Sequence, residues 1–223
     1  MNDTALRPRP GPDVVPRFRG RLHQIAFFVS IPAGLTVVLA APGPAMKVSA
    51  LVFALGVTGM FASSASYHRL RWTPIGRDRV RRLDHSMIYV AIAGTYTPIT
   101  VAVLDGWQEI AALAIVWSAA LGGILVKVFG IDRLRLLGSV MYGVLGWSAV
   151  VALPQIFRTL SWPPIVLMFV GGLLYSGGAI VLARRKPDPD PAVFGYHEIW
   201  HSFVVGGWAC HWAMVLVVLL GLR

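Results

Sequence analysis

Five residues of this 223-residue chain combine types and spacings that could do chemistry: Ser64, His68, Asp84, His197 and His201. His197 and His201 are four apart, so on a helix they stand one turn above each other and both imidazoles reach the same point. Two interfacial histidines bonded to headgroups or water would give the same pattern. His68, from a distant part of the chain, adds a third imidazole. Three neutral imidazoles and a water form the tetrahedral sphere of a catalytic zinc site with one open position. Imidazole also suits copper, iron and nickel, so the donor set favours zinc without requiring it.

Ser64 precedes His68 by four residues and shares its helical face. It either bonds a carbonyl of its own helix or faces the metal-bound water or a substrate carbonyl. Ser63 and Ser66 point elsewhere and read as packing residues. Asp84 either complements a helix dipole beside nearby arginines or, near zinc, takes a proton from the metal-bound water or orients a histidine. His85 is turned from Asp84 by about 100° on a helix and reads as interfacial. His211 lies ten residues beyond His201, about 15 Å along the helix. It is expected to hydrogen-bond within the bundle or line the same cavity, outside the metal's reach. His23 is a candidate supporting or gating residue. Cys210, the single cysteine, reads as a packing residue.

Only a membrane bundle brings such separated residues together in this composition. The chain is 56% hydrophobic and 13% charged, against about 25% charged in soluble domains, and its mean hydropathy is +0.67. A bilayer core needs roughly 20 apolar residues per helix. Seven segments qualify: Leu22–Ala41, Val48–Tyr67, Leu83–Leu104, Glu109–Val128, Leu134–Leu153, Pro163–Ala183 and Tyr196–Leu222. A basic loop, Arg69–Arg82, separates the second from the third. Residues 1–16 read as a disordered cytoplasmic tail and residues 17–223 as one membrane domain. The net charge of +10 punctuates apolar runs instead of covering a solvated domain, which excludes a nucleic-acid partner. With the N-terminus cytoplasmic, seventeen of the 20 Lys and Arg fall on the inner side, as orientation by positive charge requires. The C-terminus is then outside. The patches around Ser64–His68, Asp84 and His197–His201 then share one cytoplasmic level. Ionisable residues at membrane depth are costly and mark function.

Ser64-Ala65-Ser66-Tyr67-His68, Arg82-Leu83-Asp84-His85-Ser86 with Ala93 to Pro98, and His197-Glu198-Ile199-Trp200-His201 resemble the haemolysin III family, which groups with the progestin and adipoQ receptors, the adiponectin receptors among them. The resemblance covers essentially all seven spans. It implies an all-α, seven-transmembrane-helix bundle in the plasma membrane, with zinc on His68, His197 and His201, Asp84 contacting the metal-bound water, and Ser64 nearby. It also implies a metal-dependent hydrolase of a lipid amide or ester, ceramidase-like, with a membrane lipid as substrate. The alternative is a non-enzymatic protein, a pore-forming haemolysin or a membrane-lipid sensor, with structural zinc. The segment Pro16–His23 lacks the acidic residue that many relatives carry before the first-span histidine. A transporter is disfavoured, because the polar residues gather at one end and not at the midplane.

Overall fold

The computed structural model describes residues 15–129 and 135–222, and among these the regular structure is helical throughout. The helices are α1 (Arg21–Ala40), α2 (Gly43–Arg69), α3 (Pro74–Val103) and α4 (Gly106–Val128). They continue with α5 (Arg135–Trp147), a 3-10 turn (Ser148–Ala152), α6 (Leu153–Thr159), α7 (Trp162–Arg184) and α8 (Tyr196–Gly221). Seven segments are long and apolar enough to cross a membrane, the fifth of them running from Val140 to Thr159 through the 3-10 turn. Most of the expected N-terminal tail, residues 1–14, lies outside the described residues, as does the expected start of the fifth helix at Leu134.

Two expected boundaries need correction. The expected loop over residues 69–82 shrinks to Leu70–Thr73: Arg69 ends α2, and residues 74–82 are the first two and a half turns of α3. Thr73 accepts from the Gly76 amide at 3.2 Å, and Pro74 occupies the first turn, where its missing N–H costs nothing. Asp78 accepts from Arg81 at 2.7 Å and Arg82 at 2.8 Å, one turn away. Hydropathy marks where a helix enters the bilayer, not where it begins. Asp84 therefore sits well inside α3 and is no helix-start residue.

The fifth span is likewise not one continuous helix. Pro154 lacks a donor for its turn and crowds the preceding one, and the chain answers with the 3-10 turn before α6. Side chains serve the freed groups, as breaks at membrane depth require. Tyr96 Oη accepts from the Ala149 amide at 2.8 Å, and Ser148 Oγ donates to the Leu145 carbonyl at 2.7 Å.

Three helix registers assemble the site end. Close approach through small residues drives association in a bilayer, where apolar burial between helices gains little. Between antiparallel α1 and α2, Gly34 faces Ala54 and Gly20 faces His68; a Cβ added there would meet its neighbour's Cβ at 2.8 and 2.5 Å. The same register carries His23 to Ser64. Between α2 and α3, Gly56 faces the Val90 carbonyl and Gly94 the Val52 carbonyl, each with only 3.1 Å for a Cβ. Continued along the pair, that register puts Ser64 opposite Asp84. The third pair, α1 with α8, runs parallel. Trp212 Nε1 donates to the Ala33 carbonyl at 2.9 Å and Arg19 Nε to Glu198 at 2.7 Å, both across 179 residues. An offset one residue shorter stacks His23 on His201. Phe53, Phe61, Met60, Trp208 and Val215 fill the space between these helices. α4 packs outside them, where Tyr89, Ala93, Val116 and Ala120 form a second cluster.

Candidate metal centre

His68 lies in the last turn of α2, and His197 and His201 in the first two turns of α8. Their ring centroids are 4.9 Å apart for His68 and His197, 5.3 Å for His68 and His201, and 4.5 Å for His197 and His201. One ligand atom from each falls within 4.8 Å of the other two. Nε2 of His68 and Nε2 of His197 stand 3.3 Å apart. At a zinc–nitrogen bond of about 2.0–2.1 Å, two tetrahedral ligands are about 3.3–3.4 Å apart. His201 is 1% exposed, and its buried Nε2 has no hydrogen-bond partner. A buried orphan nitrogen is rare in a native protein, and here it belongs to the cluster whose other two members already aim at one another. The three residues could hold a metal ion, and the donor set and spacing fit zinc.

The start of α8 is held by a carboxylate whose role the sequence reading does not assign. Glu198 is 1% exposed. Its Oε2 accepts from the Gly195 amide at 2.9 Å and its Oε1 from Arg19 Nε at 2.7 Å. A glutamate at the third helical position bonding back to the N-cap amide is half of a capping box, and this was the available signal. No local signal pointed to Arg19, which reads only as one of many basic residues. Together they fix the turn that carries His197 and His201.

The segment before α1 covers the centre. Arg17 and Phe18 donate their amides to the Ala192 and Val193 carbonyls at 2.9 and 3.1 Å, and the Phe18 and Phe194 rings meet edge to face at 6.3 Å. Gly20 turns the chain into α1 at φ 75° directly against His68. A left-handed residue with no side chain is what this contact admits.

Ser64 does not bond its own helix. Its Oγ lies 2.7 Å from His23 Nδ1, and the register between α2 and α3 sets Ser64 opposite Asp84. Asp84 is 8% exposed. The arginines expected beside it pair with Asp78 instead, because the early start of α3 puts Asp78 one turn before them. His85 does not turn clear of Asp84 as expected: its ring folds back along α3, with Nδ1 2.8 Å from the Arg81 carbonyl and 3.6 Å from Asp84 Oδ2. Ser63 donates to the Met60 carbonyl at 3.0 Å, as a packing residue would. His211 stands off the cluster, with Nε2 3.3 Å from the Met168 carbonyl. It lines a separate apolar cavity of about 100 Å³ with Tyr96, Ile99, Ile156 and Phe169. His23 is 2% exposed and lies against His201 with ring centroids 3.7 Å apart and planes 8° from parallel.

The model of haemolysin-III related proteins matches residues 14–212, which hold every residue of the cluster. The chain is 38% identical over 197 residues to the hemolysin-3 homolog of Bacillus subtilis (strain 168), covering 87% of this chain and 89% of the relative. It is 34% identical over 201 residues to hemolysin-3 of Bacillus cereus, covering 89% of each. With its seven apolar spans and a histidine cluster joining the second to the last, the chain belongs to the haemolysin III family of multi-pass membrane proteins.

Proposed function

We propose that the protein is a zinc-dependent hydrolase of a lipid amide or ester, with zinc on His68, His197 and His201 and the site at the cytoplasmic end of the bundle. The observation that carries the reading is the convergence of three imidazole nitrogens within 4.8 Å, with His201 Nε2 buried and otherwise unpartnered. Bound zinc supplies a Lewis acid and a water acidified to about pKa 7. The chain's own groups do the rest. Asp84, buried and within reach of Ser64, is the base that takes the water's proton on its carboxylate. Ser64 Oγ, bonded to His23 Nδ1 at 2.7 Å, supplies a hydroxyl donor to the substrate's carbonyl oxygen as negative charge develops there. The strap over residues 16–20 covers the histidines from the end, and the apolar outer faces of the helices suit a substrate whose tails remain in the bilayer. The surplus of arginines at this end supports the orientation.

The purified protein should hold about one zinc per chain. His68→Ala, His197→Ala and His201→Ala should each lose it, and Asp84→Asn should keep it. Wild type should release fatty acid from one of a panel of N-acylsphingosines and glycerolipids, and Asp84→Asn should not. A folded, zinc-loaded sample inactive across the panel would count against the hydrolase. The names of the two relatives favour a second reading, a membrane-lysing protein in which zinc only pins α2 to α8. Dye release from liposomes that survives His197→Ala would support that reading.

A further inference from the structure

His23 is tied to the centre by two contacts of different kinds. Its ring face covers the His201 ring, parallel to within 8° at 3.7 Å, and the edge contact with Phe61 at 5.2 Å holds it there. Its Nδ1 reaches Ser64 Oγ at 2.7 Å. With the Ser64 proton given to the substrate's carbonyl oxygen in the proposed reaction, Ser64 Oγ is the acceptor toward His23, and the bond is donated by Nδ1–H. Nε2 of His23 is then a buried lone pair, and no donor meets it. A phenylalanine would fill the same space without that orphan, so packing alone does not account for a histidine here.

We propose that His23 is a positioning residue of the metal centre: its ring fixes the plane of His201 and its Nδ1–H fixes the direction of the Ser64 hydroxyl. This rests on the reading of the histidine cluster as a metal site. The stack stops the His201 imidazole from rotating about its Cβ–Cγ bond, which would swing Nε2 away from the other two nitrogens. The hydrogen bond occupies one acceptor site of Ser64 Oγ and leaves its proton free for the substrate's carbonyl oxygen. Groups that orient metal ligands typically change metal affinity by about 10- to 100-fold when removed.

The two contacts separate by substitution. His23→Phe keeps a flat ring on His201 and gives up the bond to Ser64. His23→Asn places an amide nitrogen near the Nδ1 position and gives up the stack. The test measures zinc affinity by competition with a chromophoric chelator, the d–d absorption of the cobalt(II)-loaded protein, and the melting temperature of the metal-free protein. We expect His23→Ala and His23→Asn to bind zinc about 10- to 100-fold more weakly, and His23→Phe to stay close to wild type. At saturating cobalt, His23→Phe should shift the bands as Ser64→Ala does, with no further shift in the double variant, whereas His23→Asn should keep the wild-type bands. A plain packing residue would lower the metal-free melting temperature and leave affinity and spectrum alone. That result, or equal affinity losses in His23→Phe and His23→Ala, overturns the proposal. Failure of the wild type itself to take up zinc or cobalt overturns instead the metal-site reading beneath it.

Discussion

Replacing Gly20 by alanine tests whether the strap rests on the histidine cluster, and Gly43 supplies the control. Both glycines have left-handed backbones, φ 75° and 64°. An L-residue pays about 1–2 kcal/mol for that conformation, partly offset by about 0.4–1 kcal/mol from a stiffer unfolded chain. Each alanine should therefore cost about 1 kcal/mol from backbone strain alone. The sites differ in what a Cβ meets. At Gly43 there is nothing within 4 Å, whereas at Gly20 the His68 Cβ is 2.5 Å away. Ordinary contact begins near 3.4 Å, so His68 or the strap must yield by about 1 Å. Metal–ligand distances tolerate only about 0.2 Å. Overpacking of this size costs about 1–3 kcal/mol; expressed at His68, that is a zinc affinity weaker by about 5- to 150-fold. Gly43→Ala should lower the melting temperature slightly and leave the affinity unchanged. Chelator competition and thermal unfolding of the two purified variants decide the matter. A Gly20→Ala protein with wild-type zinc affinity and no more destabilisation than Gly43→Ala would refute the contact.

Removing the Arg19 side chain strands a carboxylate that is 1% exposed. Because Arg19 itself is 22% exposed and screened, Arg19→Ala should cost about 1–3 kcal/mol, below the full penalty of a broken buried pair. Thermal unfolding should show part of it restored in Arg19→Ala/Glu198→Gln, whose neutral side chain still accepts from Gly195. Tyr96→Phe leaves the Ala149 amide without its partner at the break in the fifth span. A fully buried unmet donor costs about 1–3 kcal/mol and this part-buried one toward the lower end, so proteolysis should cut this variant faster near residues 146–153 while its zinc content is unchanged. His211→Ala should lower the melting temperature through the lost packing against Gly171 and leave zinc binding as it is. Loss of metal from His211→Ala would contradict the separation of the His211 cavity from the cluster.

The residues of the cluster were legible from sequence because membrane depth is. Long apolar runs and the sidedness of the arginines assign every residue a level, and the four-residue spacing of His197 and His201 assigns a face. Those two rules suffice to nominate His68, Asp84 and Ser64 from distant segments. Hydropathy describes only the bilayer interior, so it missed the two polar turns of α3 before Leu83 and misplaced Asp84 as a helix start. The interruption of the fifth span was half-visible in Pro154, but its repair depended on Tyr96 from another helix. What tertiary structure alone decided was the third register. Sequence order makes successive spans antiparallel and the first and last parallel; it says nothing of α1 packing against α8. That one pairing brings Arg19 to Glu198 and stacks His23 on His201. Contacts across 179 residues depend on how the ring of helices closes, a property of side-chain packing that no local pattern in the chain encodes.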